Sequence, residues 1–576
     1  MNSYLELLKA NAQLKKEQQP HTVDLLVLNN ITTNPIKEYL KYSCAVHKIR
    51  AEVAFGDYDN IVQNAQDLNV EHKTVLIFWE IANCLHGLEY KIDTFTDEHL
   101  DALEQKIQHE LKLTFDALSK ASLVIMNRFT ALPFTFLQTQ NGALEALAGR
   151  LNHFCEQYAP SSIKWINTDK CMVQSGIDKT IDYKGYLKNK LLYKHDFYWN
   201  YVQLVQPYFN ALTGQVNKLL ALDCDNTLWK GILGEDGDDN IGMDENEYKG
   251  QPFAAAQYRA MGLGKKGVLL ALASKNNAAD VDAVLSDHLD LSLKEDQLVA
   301  KKVNWEPKGE NLKKLAEQLN IGIDSFVFVD DSDFEVQMMR DQVPSVTTIQ
   351  VPKNAVQYYI DQQEWSNYFI QLNESEEDAK KLEQYKQNVE RANAETKFED
   401  FAGFLESLDL ELTIHINDAQ LISRMAQMTQ KTNQFNLTTQ RYTESQIEHF
   451  VNNADYDCFA FSVKDKFGDS GITGLCIIHH TEENIASIDT LLMSCRILGR
   501  NIEYQFLEEV LSQVFKKTEF LKAQYKVSKK NAQVVDFYDK IHFELIEESE
   551  AGKSYAMKKP SFAATNAYNY IKVNYA

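Results

Sequence analysis

Short apolar runs recur along this chain, separated by segments whose apolar positions follow a helical period. From Thr22 onward the runs "TVDLLVL", "RAEVAF", "TVLIFW", "ASLVIMN" and "SSIKWIN" alternate with helical patterns such as "NPIKEYLKYS" and "ALEALAGRLNHFCEQYA". That alternation predicts a parallel α/β sheet, over about residues 20 to 205. A second α/β series follows in "KLLALD", "GVLLALAS", "DSFVFVDD" and "VTTIQVP". The tract "NESEEDAKKLEQYKQNVERANAETKFEDFAGFLESL" carries charge on every side and predicts a solvated connecting helix or helix pair. Beyond it "LELTIHI", "FAFSVKD", "GLCIIHH" and "IASIDTLLMSC" predict an antiparallel set with helices around it. The expected division is 1–210, 211–370, a helical connector at 371–405, and 406–576.

At 576 residues the chain is too long for one core, and its 44% hydrophobic and 11% aromatic content is that of folded protein. The net charge of −23, without a basic patch, argues against nucleic acid or an anionic membrane as partner. The first residues lack a signal-peptide pattern and no run reaches the length of a membrane span. The eight cysteines include no C-x-x-C pair, so neither zinc nor a disulfide framework is indicated. The expected location is cytoplasmic.

The stretch "LLALDCDNTLWKGILGEDG" places Asp223 and Asp225 at the mouth of a buried strand. Alternation points both carboxylates one way and Cys224 the other, toward the core. Two adjacent carboxylates in an apolar setting repel, and a divalent, oxygen-liking cation such as magnesium relieves that repulsion while binding a phosphate. Ligands of open α/β sheets sit beyond the carboxyl ends of the strands, where these aspartates lie. Three more segments deliver matching chemistry to the same edge. "GVLLALAS" ends in Ser274, "NWEPKGENLKKL" sets Lys308 at a helix start after Pro307, and "FVFVDD" ends in Asp330 and Asp331.

That order, D-x-D-x-T followed by serine, lysine and an acidic pair, resembles the haloacid dehalogenase (HAD) phosphohydrolase superfamily. "LDCDNTLWKGILGEDG", "ASKNN" and "NWEPK" further resemble the FkbH family, which couples a HAD domain to acyl transfer. The resemblance implies Asp223 as nucleophile and Asp225 as general acid/base. It implies phosphate held by Thr227, Ser274, Lys275 and Lys308, and magnesium held by Asp223, Asp225 and Asp330 or Asp331. The chain departs from the family in reading "DDSDFE" where Asn-Pro usually precedes the glutamate, which leaves the choice between Asp330 and Asp331 open. Neither interval between the motifs holds a cap domain, so a capless, open site is expected.

"LLMSCRILGRNIEYQFLEEVL" reads as a strand, a basic turn and an amphipathic helix. Arg496, Gly499, Arg500 and Asn501 resemble the pyrophosphate loop of GNAT-type acyltransferases, with Asn501 replacing a small residue. Asn531 and Tyr538 in "KKNAQVVDFYDKIHFEL" resemble the ending of that fold. This implies a GNAT-like α+β domain binding coenzyme A or a carrier's phosphopantetheine. Cys495 stands at the strand end beside Arg496 and Arg500, either as a reactive thiol or as a packing residue. The first domain resembles the N-terminal domain of FkbH-like proteins and, distantly, SGNH esterases. Asn29 and Asn30 replace the expected serine, so a non-catalytic role is expected, with His195 a packing or surface residue. The FkbH resemblance implies an enzyme that takes a phosphoglyceryl donor of the 1,3-bisphosphoglycerate type and loads an acyl carrier protein. The alternatives are a phosphatase with an unrelated acyl-CoA role and a non-enzymatic carrier scaffold.

Overall fold

The computed structural model describes the chain apart from residues 1–3, 161, 373–380, 396–397, 399, 529 and 565–566. It forms two compact units, Met1–Thr213 and Gly214–Ala576. In the first unit β1 (His21–Asn29), β2 (Ile49–Phe55), β3 (Thr74–Phe78), β4 (Leu123–Asn127) and β5 (Ile163–Ile166) coincide with the five predicted runs. They make one parallel sheet in the order β2-β1-β3-β4-β5. β3 and β4 are buried throughout, as strands covered on both faces must be.

The second unit opens with β6 (Leu219–Leu222), β7 (Leu269–Ser274), β8 (Ala300–Val303), β9 (Phe326–Asp330) and β10 (Thr347–Gln350), all parallel, in the order β10-β9-β6-β7-β8. Alternation divides the apolar side chains between two cores. Leu220, Leu222, Leu270 and Leu272 face one, and Leu219, Ala221, Leu269 and Ala271 face the other. β8 was not foreseen: "AKKV" is a half-buried edge strand whose two lysines break the apolar run.

The remaining strands are β11 (Glu411–Ile416), β12 (Phe435–Asn436), β13 (Tyr456–Asp465), β14 (Gly468–Glu482), β15 (Ile485–Met493), β16 (Phe520–Lys526), β17 (Glu544–Ser549), β18 (Gly552–Lys558) and β19 (Lys572–Tyr575). They form one sheet in the order β17-β18-β16-β15-β14-β13-β11-β19, with β12 attached to β15. The four runs expected to be antiparallel, β11, β13, β14 and β15, do pair so in succession, while the further pairings β15–β16 and β11–β19 are parallel. The intervening helix Ile502–Val514 makes the parallel return possible, since parallel neighbours need a crossover. The whole is a multidomain α/β protein with a parallel Rossmann-like sheet in its middle.

The charged tract also differs from expectation. Residues 373–380 of it lie outside the described residues, but Lys381–Glu395 forms a helix whose inner face is buried rather than solvated. Tyr385 joins the core beneath β6, β7 and β9. Arg391 donates from Nε and Nη2 to both oxygens of Asp465, at 2.5 and 2.8 Å, and Arg500 Nη1 adds a contact at 3.3 Å. The pattern misled because glutamine, tyrosine and arginine carry the buried contacts in place of aliphatic residues. Burial holds the Arg500 guanidinium down at about 10, reinforced by Arg391 and opposed by Asp465. Asp465→Ala therefore leaves two buried guanidinium groups without their carboxylate. It is expected to cost about 3–5 kcal/mol in denaturant unfolding of the second unit; a loss under about 1 kcal/mol, the range of a surface pair, contradicts this account.

Candidate active site and basic loop

The carboxyl ends of β6, β7 and β9 bring Asp223, Ser274 and Asp330 to one edge, and the helix Lys308–Leu319 starts there with its lysine. Lys308 Nζ lies 2.9 Å from Asp223 Oδ1 and 2.7 Å from Asp330 Oδ2, and all three side chains are almost wholly buried. Burial alone would lower the ammonium's pKa, yet Asp223 and Asp330 together raise it above its usual value. Burial, then the Asp223 charge, pushes the Asp330 carboxyl up against the opposing pull of Lys308. Asp331 is raised by the same two causes.

Carboxylate oxygens of Asp223, Asp330 and Asp331 all lie within 4.8 Å of one another. Two buried carboxylates facing one ammonium, with a third beside them, leave negative charge that a divalent cation fits. Asp225, expected among the metal ligands, is not in this group. Its Oδ1 accepts from Trp229 Nε1 at 2.9 Å and from the Leu233 N–H at 3.0 Å, and its Oδ2 accepts from Asn276 Nδ2 at 2.9 Å. Those three donors aim the carboxylate without metal. Trp229, Leu233 and Asn276 were not singled out from sequence, although all three lie in the quoted "LLALDCDNTLWKGILGEDG" and "ASKNN".

Ser274 is buried beside Asn276, whose Nδ2 donates to its Oγ at 3.4 Å. Lys275 turns instead to Glu335, 2.6 Å away, so as placed it serves that ion pair rather than the cluster. Thr227 is fully buried, and its hydroxyl has no hydrogen-bond partner among the described residues. An unpaired buried hydroxyl is costly, which suits a group held for a ligand oxygen. Cys224 packs in the core, and burial raises its thiol well above the usual range.

The basic loop is built otherwise than expected. Arg496 is buried, donating to Gln384 and to Ser494 Oγ. Arg500 bonds Asp465, Asn388 and the Arg496 carbonyl. Neither forms a basic rim, because Gln384 and Asn388 of the helix Lys381–Glu395, with Asp465, Ser494 and the Arg496 carbonyl, take up their donors. β15 and β16 pair only over Ile485–Ser487 and Phe520–Lys522, then diverge. β12 fills the gap: it pairs with Leu492 and Met493, and the Leu437 carbonyl after it accepts from Lys526 N–H at 2.8 Å. Asn531 pins it by donating to the Asn436 carbonyl at 2.8 Å, so this candidate ligand contact is structural. Tyr538 lies wholly in the core against Phe543 and Tyr555. Asn501 donates to Tyr570 Oη at 2.9 Å; Gly499, at φ +81°, lines a separate cavity of about 170 Å³ with Leu498, Glu503 and Tyr504.

Cys495 is half-buried, 4.0 Å from Tyr385 Oη, and its carbonyl accepts from Asn320 at 2.7 Å. Asn320 ends the helix that begins at Lys308, so the Cys495 backbone lies at the opposite end of that helix from the Asp223 cluster.

In the first unit, His195 is a packing residue, 2.6 Å from Tyr39 Oη and stacked near Trp199. Asn30, in place of the expected serine, binds the backbone of Glu80 in both directions. Burial raises Glu80 to about 7, while the Tyr193 hydroxyl, 2.6 Å away, opposes the rise. No motif pointed to Glu80, which follows β3 as one polar residue after an apolar run.

No family model and no curated protein matches the chain. Among solved structures it is similar to the N-terminal part of the protein BF1531 from Bacteroides fragilis, which contains a phosphatase domain complexed with Mg. Identity is 22% over 65% of this chain and 100% of that one, with a TM-score of 0.54. What the two share is the fold. Alignments also reach the ribosomal-protein-S18-alanine N-acetyltransferase from Escherichia coli, 13% identical over 27% of this chain and 99% of that one, TM-score 0.21. The PaiA N-acetyltransferase from Thermoplasma acidophilum, solved with coenzyme A, is 16% identical over 25% of this chain and 98% of that one, TM-score 0.19.

Because its hydroxyl is buried without a partner, Thr227→Val is expected to leave the protein as stable or up to about 1 kcal/mol more stable. Denaturant unfolding checks this; a loss of more than about 1 kcal/mol would mean the hydroxyl is satisfied in the folded chain.

Proposed function

We propose that the protein is a magnesium-dependent phosphatase of the HAD type that also transfers an acyl group. The observation that carries this reading is the buried Lys308 bridge between Asp223 and Asp330, with Asp331 and the unpaired Thr227 hydroxyl beside it. Asp223, Asp330 and Asp331 would hold the cation, which when bound offsets charge on the attacking carboxylate and the phosphate oxygens. Asp223 attacks phosphorus, the P–O bond to the leaving alcohol breaks, and water then hydrolyses the aspartyl-phosphate. Asp225, aimed by Trp229, Leu233 and Asn276, gives a proton to the leaving oxygen and takes one from the water. Lys308, Ser274 and Thr227 hold the phosphate oxygens.

The finer reading follows the FkbH resemblance: the donor is a phosphoglyceryl acyl phosphate, and the acceptor is an acyl carrier protein. Cys495 thiolate forms a bond to the acyl carbon, and the carbon–oxygen bond to phosphate breaks, phosphate leaving with the electron pair. The thiol's proton passes to solvent. Exchange onto the carrier thiol then frees Cys495.

Turnover of a generic phosphate ester is expected to need added magnesium, to stop with chelator, and to fall by at least about 100-fold in Asp223→Asn and Asp225→Asn. Undiminished turnover in Asp223→Asn rules out this nucleophile. Cys495→Ala should keep the phosphatase rate and stop carrier loading, read by intact mass with labelled phosphoglyceryl donors. Loading at the parent rate would make the thiol a packing residue.

A further inference from the structure

Three large apolar side chains stand exposed on the loops around the buried Lys308 cluster. Trp305 is 75% exposed, Phe334 65% and Ile232 39%. Apolar groups of that size gain by leaving water, and several gathered around a polar site mark a surface kept for a ligand. Polar contacts tie each of them, through an adjacent residue of the chain, to the end of β7. Asn304, just before Trp305, donates its N–H to the Ser274 carbonyl at 3.1 Å. Glu335, just after Phe334, lies 2.6 Å from Lys275. Leu233, just after Ile232, donates its N–H to one oxygen of Asp225, and Asn276 donates to the other. The three loops thus converge on the consecutive residues Ser274, Lys275 and Asn276.

Chain length sets a second limit. Trp305 precedes Lys308 by three residues and Phe334 follows Asp331 by three, so each Cα is at most about 11 Å from that of its cluster residue. The charges beside the two aromatics are engaged: Glu306 lies 2.6 Å from Lys314, and Asp333 lies 3.6 Å from Lys353. What this rim offers a ligand is apolar surface. Among the described residues no cap domain is inserted between Asp225 and Lys308. The intervals supply the helices Gln251–Lys265 and Ala278–Asp287 and the edge strand β8. A phosphoryl group seated among Asp223, Ser274 and Lys308 therefore has its remaining substituent directed out of the cluster, past the rim.

We propose that Trp305 and Phe334, with Ile232, grip the carbon chain attached to the phosphate and so select ligands by the apolar surface next to it. The proposal rests on the reading of Asp223, Ser274 and Lys308 as a phosphate site, and not on the identity of the acyl group. Each methylene that reaches the rim removes further apolar area from water, while the contacts to the phosphate stay the same. Trp305 and Phe334 are then specificity-determining residues, outside the chemistry itself.

Calorimetric titration of the full chain with ethyl-, butyl- and hexylphosphonate, in the presence of magnesium, tests this. The probes share one anionic head, carry a phosphorus–carbon bond that a phosphatase does not hydrolyse, and differ only in apolar length. The dissociation constant is expected to fall at least about tenfold from ethyl to hexyl. Inorganic phosphate is expected to displace all three, which places them at the cluster. In the double variant Trp305→Ala, Phe334→Ala the preference for hexyl over ethyl should shrink to less than about threefold. Both side chains are exposed, so the fold is expected to survive their removal. Equal affinity for the three probes, no binding of any, binding that inorganic phosphate does not displace, or an undiminished preference in the double variant overturns the proposal. Undiminished ester turnover in Asp223→Asn counts against the nucleophile alone, because the titration reads binding without turnover.

Discussion

The contact on which the site of the second unit depends is one ammonium between two carboxylates. Lys308 meets Asp223 and Asp330 where almost no water reaches. Three desolvated charges are a poor way to stabilise a fold, since an apolar replacement of similar volume often does as well. Their geometry is instead suited to neutralisation: two negative groups share one positive group, a third carboxylate stands beside them, and a buried hydroxyl waits unpaired. Everything nearby supports that arrangement. The parallel strands deliver the carboxylates, the helix starting at Lys308 delivers the ammonium, and three donors fix Asp225.

The same strands have two unlike ends. The acidic cluster lies at one end of β6 and β9, and Lys218 and Ser325, which line a separate cavity, lie at the other. Five residues of strand, about 17 Å, hold those ends apart.

The helix Lys381–Glu395 shows how polar residues act as cement. Gln384, Asn388 and Arg391 engage Arg496, Arg500 and Asp465. Together they fix the turn after β15 and place Tyr385 against Cys495. The arginines that looked like a surface for a pyrophosphate therefore act inside the protein, and β12 closes the strand gap beside them.

The sequence by itself determined the buried apolar strands and the acidic residues at their ends. Apolar runs such as "LLAL" and "FVFVD" are buried on both faces, so their periodicity is local and legible. Asp223, Ser274, Lys308 and Asp330 could be grouped because each is attached directly to the end of a strand or the start of a helix. The tertiary structure alone decided what is settled by polar side chains meeting across long separations. Asp225 is set by Asn276, Lys275 is drawn to Glu335, and Arg496 is met by Gln384. It also decided the edge strand β8, whose lysines conceal it, and the insertion of β12 between diverging neighbours. Hydrogen bonds and ion pairs have no period along a chain, so their partners appear only when the chain is folded.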